Sequence, residues 1–188
     1  MEMSAFLDRK LARRFATYDS DGNGFIERED FTSAVARMAE EFGHGPGSPA
    51  RQRLHDLCLG LWSHLVKVAD ADGDGRISEA EYKAAFAAGL LETPRSFDDG
   101  YRPFLDAVME IADTDGDGKI THEEHVRWTG ALMNLPATDA AGIARRLDSD
   151  ADGLISTSDL LEAIEAYYFD DDPATSTGSW LLGPLEPR

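Results

Sequence analysis

The residues best suited to chemistry lie in one twelve-residue stretch, residues 113–124, which reads DTDGDGKITHEE. Aspartates at its positions 1, 3 and 5 place carboxylates on alternate residues, so their oxygens can converge on one hard cation. Glycine at position 6 permits a backbone turn that a Cβ would obstruct. The carbonyl of Lys119 at position 7 and both carboxylate oxygens of Glu124 at position 12 complete the oxygen shell. The stretch is therefore predicted to bind calcium.

The same pattern occurs three more times, at residues 19–30, 70–81 and 148–159. Loops 1 to 4, in chain order, all have glycine at position 6 and isoleucine at position 8. A merely acidic surface turn would not fix those two positions, so all four stretches are predicted calcium loops. The predicted ligands at positions 1, 3, 5, 7 (through the carbonyl) and 12 are Asp19, Asp21, Asn23, Phe25 and Asp30; Asp70, Asp72, Asp74, Arg76 and Glu81; Asp113, Asp115, Asp117, Lys119 and Glu124; and Asp148, Asp150, Asp152, Leu154 and Asp159.

The residue at position 12 separates the loops into two kinds. Loops 2 and 3 end in Glu81 and Glu124, whereas loops 1 and 4 end in Asp30 and Asp159. Glutamate reaches far enough to bind calcium through both oxygens, but aspartate is one methylene shorter and favours the six-coordinate shell that Mg²⁺ demands. We predict that loops 2 and 3 are the tightest Ca²⁺ sites and that loops 1 and 4 are weaker or mixed Ca²⁺/Mg²⁺ sites. Glu27, at position 9 of loop 1, is a further candidate ligand.

A zinc site is a weaker interpretation of part of loop 3, where His122 and His125 flank two glutamates. The two histidines are three residues apart, whereas the zinc-protease motif H-E-x-x-H needs a separation of four to place both on one metal. Glu124 is already assigned to calcium, and no third zinc ligand is evident. No separate zinc site is predicted.

Apolar residues recur at three- and four-residue spacing on both sides of each loop, which predicts an entering and an exiting helix for every loop. Ser48 with Pro49 marks one helix start, Thr138 another, and Ser78 with Glu81 forms a capping box. Isoleucine at position 8 predicts short two-stranded β-ribbons that pair loop 1 with loop 2 and loop 3 with loop 4. The predicted helices span about 4–18, 29–42, 49–69, 79–89, 103–112, 121–134, 138–147 and 157–169.

This pattern predicts an all-α fold with two paired halves in one compact globule. The halves are residues 1–92 and 101–169, joined by a polar linker at 93–100. Residues 170–188 form a C-terminal tail that contains the apolar residues Trp180, Leu181, Leu182 and Leu185. Water should not keep such a cluster exposed, so the tail is predicted to dock on the helical core.

Charge and composition exclude several classes of function. The 188 residues include 36 acidic and 18 basic side chains, for a formal net charge of −18, which argues against a nucleic-acid partner. Four bound Ca²⁺ would change the charge to −18 + 8 = −10 and so relieve self-repulsion.

The most apolar run, residues 57–62, is too short to span a membrane. One cysteine, Cys58, and a charged N-terminus without the apolar core of a signal peptide predict a cytoplasmic protein.

On its four loops the chain is identified as a member of the EF-hand superfamily, and the resemblance covers almost the whole chain. Loop starts at residues 19, 70, 113 and 148 are unevenly spaced, and proline–glycine breaks separate the helices. With the apolar tail, these features resemble the sarcoplasmic calcium-binding and calerythrin-like proteins more than calmodulin-like sensors. The resemblance implies a compact globule whose tail packs into the cleft between the halves. Loops are commonly degenerate in that family, whereas all four are intact here, so its usual occupancy pattern is not carried over.

Three functions are compatible with these observations. The first is an intracellular Ca²⁺ buffer or store, acting as a monomer with calcium ions as its partners and no indicated protein partner. The second is a sensor that opens on Ca²⁺ and binds a partner helix, although the five methionines are scattered and partly terminal. The third is a luminescent oxidase of the calcium-photoprotein type, using Trp62, Trp128 or Trp180 around a chromophore. No nucleophile–base pair or phosphate-binding glycine loop is evident, so an enzyme is not predicted.

Overall fold

The computed structural model describes residues 3–91, 93–170, 172 and 179–185, with residues 94–99 described as backbone only. It contains helices on both sides of every loop, as the hydrophobic spacing predicts. The helices are α1 (Ala5–Tyr18), α2 (Arg28–Glu41), α3 (Pro49–Ala69), α4 (Glu79–Ala87), α5 (Pro94–Ala112), α6 (His122–Met133), α7 (Ala137–Leu147) and α8 (Thr157–Phe169), and the strands are β1 (Phe25–Ile26), β2 (Ile77–Ser78), β3 (Lys119–Thr121) and β4 (Leu154–Ser156).

The strands pair the loops in twos. Strand β1 is antiparallel to β2 with Ile26 opposite Ile77, and β3 is antiparallel to β4 with Ile120 opposite Ile155. All four isoleucine side chains are fully buried, because each is the point at which its loop contacts the core. The predicted fold class, an all-α EF-hand fold with two loop pairs and short β-ribbons, is confirmed.

The core extends across both loop pairs. Helix α2 packs against α6, and α3 packs against α5, so the two halves share one apolar interior. Cys58 lies in this interior, and burial raises the pKa of its thiol to about 12. A thiol that is so rarely ionised behaves as a small apolar side chain rather than a redox centre.

Each helix that leaves a loop begins with a capping box, in which two side chains three residues apart bond to each other's backbone N–H. The sequence predicts this arrangement only at Ser78 and Glu81, although the S/T-x-x-D/E signal was also readable after loops 3 and 4. The second member of each box is position 12 of its loop, so one residue both closes the loop and starts the helix. The four pairs are Glu27–Asp30, Ser78–Glu81, Thr121–Glu124 and Ser156–Asp159.

Two helix starts differ from the sequence prediction. Helix α5 begins at Pro94, so the segment predicted as a linker is largely helical, and Pro103 lies inside the helix. An interior proline costs about 3 kcal/mol, and the same helix offsets that cost by burying residues such as Leu105 and Val108. Helix α7 begins at Ala137 behind Pro136, so Thr138 lies in its first turn and is not the cap. The division of the chain into two halves and a linker stays a prediction.

The described part of the tail, residues 179–185, lies against the helices. Leu181 and Leu182 are buried. Arg13 Nε donates a hydrogen bond to the carbonyl of Leu182 at 2.5 Å, and the Arg146 guanidinium lies 5.3 Å from the centre of the Trp180 ring. No helix in the described ranges has both the length and the apolarity that crossing a bilayer requires.

Candidate metal centres

Each loop gathers carboxylates at one point. In all four loops three acidic side chains offer oxygens within 4.8 Å of one another. Hard carboxylate oxygens in this arrangement suit Ca²⁺ or Mg²⁺ and not a metal that prefers nitrogen or sulfur. The residues present therefore fit the cation that the sequence predicts. The clusters are Asp19, Asp21 and Asp30; Asp70, Asp72 and Glu81; Asp113, Asp115 and Asp117; and Asp148, Asp150 and Asp152.

The glycine at position 6 holds the first carboxylate in place. Its N–H donates to the position 1 aspartate at 2.8–3.1 Å in every loop, while its φ lies between 81° and 89°. Only glycine adopts that backbone region without strain. The turn therefore orients the position 1 carboxylate towards the loop interior. The bonds join Gly24 to Asp19, Gly75 to Asp70, Gly118 to Asp113 and Gly153 to Asp148.

Loop 4 departs from the others at position 4. Loops 1 to 3 have glycine there with φ of 72–76°, whereas loop 4 has Ala151 at φ 58°. A left-handed conformation costs a residue with a Cβ about 1 kcal/mol. The sequence shows the alanine, but its strain is visible only once the loop conformation is known.

Replacing Ala151 with glycine is expected to stabilise loop 4 by about 0.5–1 kcal/mol, because it removes the left-handed strain at the cost of some backbone entropy. Chemical denaturation in calcium measures the change. The matched control is Gly116→Ala at the same position of loop 3, which should destabilise the protein by a similar amount. Equal effects of the same sign in both variants would contradict this explanation.

The carboxylate at position 12 bridges the start and the end of its loop. Asp30, Glu81 and Glu124 each accept a hydrogen bond from the N–H of position 2 and another from the N–H of position 9, at 2.7–3.0 Å. Asp159 accepts one from Ser156 N–H at 2.8 Å, and within the described ranges nothing at the start of loop 4 reaches it. Loop 4 is therefore the least closed of the four.

Hydrogen bonds keep the two closing glutamates ionised. Bonds from the backbone and side chain of Ser78 lower the pKa of Glu81. Burial alone would raise the pKa of Glu124, but bonds from Thr114 and Thr121 outweigh it and the pKa is lowered. Both side chains are therefore ready to bind a cation as carboxylates.

Some predicted ligands lie outside the clusters. Glu124 and Asp159 are absent from the clusters of loops 3 and 4, and Asp74 is absent from that of loop 2 and instead pairs with Arg76 at 3.0 Å. Glu27 accepts a bond from Asn23 Nδ2 at 2.7 Å, so this candidate lies beside the ligands of loop 1. The position 7 carbonyls of loops 1, 3 and 4 belong to strands β1, β3 and β4, and that of Arg76 immediately precedes β2.

Two side chains of loop 3 contact ligands of loop 4, which sequence reasoning missed. His122 Nε2 lies 2.9 Å from Asp148 Oδ2, and Lys119 Nζ lies 2.8 Å from Asp152 Oδ2. The hydrogen bond from Lys119 helps to lower the pKa of Asp152. These contacts connect the two loops in addition to the β3–β4 ribbon.

His125 directly follows loop 3 and is buried. Burial and the nearby His122 lower its pKa to about 4, so the imidazole is neutral at neutral pH. Its ring packs edge-on against Trp128, and these residues line a cavity of about 40 Å³ with Tyr168 and the tail residue Leu182. Trp62 packs elsewhere against Phe31. The structure thus brings one of the three tryptophans beside a histidine, around a space too small for a chromophore.

Comparisons with known proteins agree with this architecture. Residues 8–87 match the EF-hand domain pair family, and residues 105–124 match the EF hand family. Calerythrin from Saccharopolyspora erythraea is 29% identical over 167 residues, covering 88% of this chain and 94% of that protein. The solved structure of a Streptomyces coelicolor calcium-binding protein, described as a basis for prokaryotic calcium-mediated regulation, is 38% identical with a TM-score of 0.76, covering 86% of this chain and 97% of the other.

The fold is shared more widely. A sarcoplasmic calcium-binding protein from amphioxus superposes with a TM-score of 0.72 over 98% of this chain and all of the other, at 18% identity. The four acidic loops, their two ribbons and the coverage of nearly the whole chain by these relatives lead to one assignment. The chain belongs to the EF-hand family, in the group that includes calerythrin and the sarcoplasmic calcium-binding proteins.

Proposed function

We propose that the protein binds calcium at all four loops, through the ligands predicted at positions 1, 3, 5, 7 and 12, and acts as a monomeric calcium buffer or store in the cytoplasm. The convergence of three carboxylates in every loop is the observation that carries this proposal. The relatives support it, since the Streptomyces coelicolor protein is named a calcium-binding protein. With 36 acidic residues against 18 basic ones, cation binding also relieves repulsion within the folded chain.

The covered apolar interior favours a buffer over a sensor. Leu181 and Leu182 from the tail are buried and line the same cavity as Trp128. Within the described ranges Leu90 is the one large apolar side chain that is exposed. A sensor must present an apolar groove to its partner, and the apolar surface around Trp128 is lined by tail residues and is therefore not free for a partner.

A calcium sensor is the alternative, and the description of the Streptomyces coelicolor relative in terms of calcium-mediated regulation favours it. In that case calcium would release the tail and open the groove beneath it. The two functions therefore differ in what calcium does to residues 179–185.

Hydrogen exchange of the tail separates the two functions. The amide of Gly183 donates to the carbonyl of Trp180 at 2.9 Å and reports whether the tail is folded. For a buffer, exchange in peptides covering 179–185 should be as slow or slower with saturating calcium than with chelator. Faster tail exchange in calcium, with slower exchange in the loops, would establish the sensor and contradict the buffer.

Lengthening the closing aspartates is expected to change metal preference. Asp30→Glu and Asp159→Glu should each raise the calcium affinity of their loop by about tenfold and weaken competition by Mg²⁺, because the longer side chain can bind through both oxygens. Calorimetric titration in the presence and absence of Mg²⁺ measures both effects. The reverse variant, Glu81→Asp, is the matched control and should lose calcium affinity while gaining sensitivity to Mg²⁺. Unchanged Mg²⁺ competition in all three variants would contradict the assignment of mixed sites.

A further inference from the structure

A cavity lies among the helices, and Asp30 of loop 1 is the one predicted calcium ligand in its wall. This cavity of about 440 Å³ is lined by residues of α1, α2, α3, α5 and α6. Its wall is mostly apolar and includes Leu57, Leu61 and Leu65 of α3 and Phe104 of α5. Sites for small organic molecules usually measure about 300–1,000 Å³ and have such apolar walls. The cavity therefore has the size and the lining of a small-molecule site.

One wall of this cavity carries a buried positive charge. Arg14 is only 9% exposed. Its Nη2 donates to the hydroxyl of Tyr18 at 2.7 Å and lies 3.5 Å from that of Tyr101, its guanidinium lies over the Tyr18 ring, and its Nη1 lies 3.9 Å from the Met133 sulfur. All of these partners are neutral, and the buried Nε has none.

The carboxylates in the cavity wall are engaged elsewhere. Asp30 accepts bonds from Ser20 and Glu27 N–H, and its charge acts on Arg37. Asp56 is exposed and accepts a bond from Gln52. Within the described part of the chain, Arg14 forms no salt bridge. Removing a guanidinium from water without an opposite charge costs several kcal/mol. A bound anion would supply that opposite charge and offset part of this cost.

We propose that this cavity binds a soluble amphipathic organic anion, whose carboxylate or sulfonate group pairs with Arg14 and whose apolar chain lies along Leu57, Leu61 and Leu65. The Arg14 guanidinium is part of the cavity wall and has no carboxylate partner among the described residues, so its positive charge is available to the anionic group. The apolar chain of the ligand packs against the α3 side chains, which removes the apolar surface of both from water. This ligand site goes beyond the calcium function proposed above.

Octane-1-sulfonate and its neutral counterpart octan-1-ol test the charge requirement. Titration calorimetry on the calcium-loaded protein should show at least tenfold tighter binding of the sulfonate. Arg14→Met, which keeps the apolar volume, should abolish that preference, and Arg14→Lys should retain part of it. Lys67→Met, which removes an exposed cation from α3, is the matched control and should bind like the wild type. Equal binding of both probes to the wild type, or an unchanged preference in Arg14→Met, would overturn the proposal.

A second variant tests the place of binding without touching Arg14. Leu61→Trp should fill part of the cavity and weaken octane-1-sulfonate binding by at least tenfold, whereas calcium uptake measured in the same samples should not change. Full sulfonate affinity in Leu61→Trp would overturn the proposal even if Arg14→Met failed to fold. Since calcium uptake is measured separately, a failure of the ligand site is distinguishable from a failure of the calcium function.

Discussion

Removal of divalent cations with excess chelator is expected to lower the free energy of unfolding by several kcal/mol. A ligand present at 100 times its dissociation constant stabilises the folded state by about 2.7 kcal/mol per site. The metal-free protein also retains its formal net charge of −18. In each of its four loops three carboxylates offer oxygens within 4.8 Å of one another. Both effects act in the same direction, so the stability difference should be the largest of any single change considered.

Urea denaturation with calcium and with chelator measures this difference. The control is a chelated sample with added potassium chloride, which screens the repulsion without supplying a ligand for the loops. Monovalent salt should restore only a small part of the lost stability. Identical unfolding midpoints in calcium and in chelator would contradict calcium binding as the source of stability.

Replacing the closing glutamate of loop 3 is the second large effect. Glu124→Gln should weaken calcium binding at that loop by about 100-fold, or ~2.7 kcal/mol, because it removes a charge and a bidentate ligand together. The side chain is only 8% exposed, so no neighbouring carboxylate can move in easily to replace it. Calorimetric titration of the variant should show one tight site fewer.

The adjacent residue supplies the control for that variant. Glu123 is exposed, so Glu123→Gln removes the same charge from the same helix turn without removing a proposed ligand. Its calcium titration should match that of the wild type. Loss of a tight site in both variants would show that net charge, and not the position 12 ligand, determines affinity.

The sequence predicted the loops well because coordination geometry restricts residue type at fixed spacing. A residue at position 8 has to enter the core and pair across a ribbon, which is why Ile26 and Ile77, or Ile120 and Ile155, could be matched before the structure was known. Glycine at position 6 is likewise set by one backbone angle. These requirements depend on the local sequence alone, so they can be predicted without knowledge of the tertiary structure.

Features that depend on tertiary packing were not predictable. Pro103 looked like a helix start, and only the burial of the surrounding α5 residues explains why the helix continues through it. The contact of His122 with Asp148 joins two residues that are 26 positions apart in the chain, so it requires the relative placement of loops 3 and 4. The sequence does not single out Arg14 on α1, and its burial follows from the way α1 packs against the rest of the chain.

The number of calcium ions bound per chain tests the central claim most directly. The protein is first freed of metal with a chelator and then dialysed to equilibrium against calcium without magnesium. We expect four bound calcium ions per chain. Fewer than four ions at saturating calcium would contradict the account, because at least one loop with three carboxylates within 4.8 Å would then fail to bind the cation.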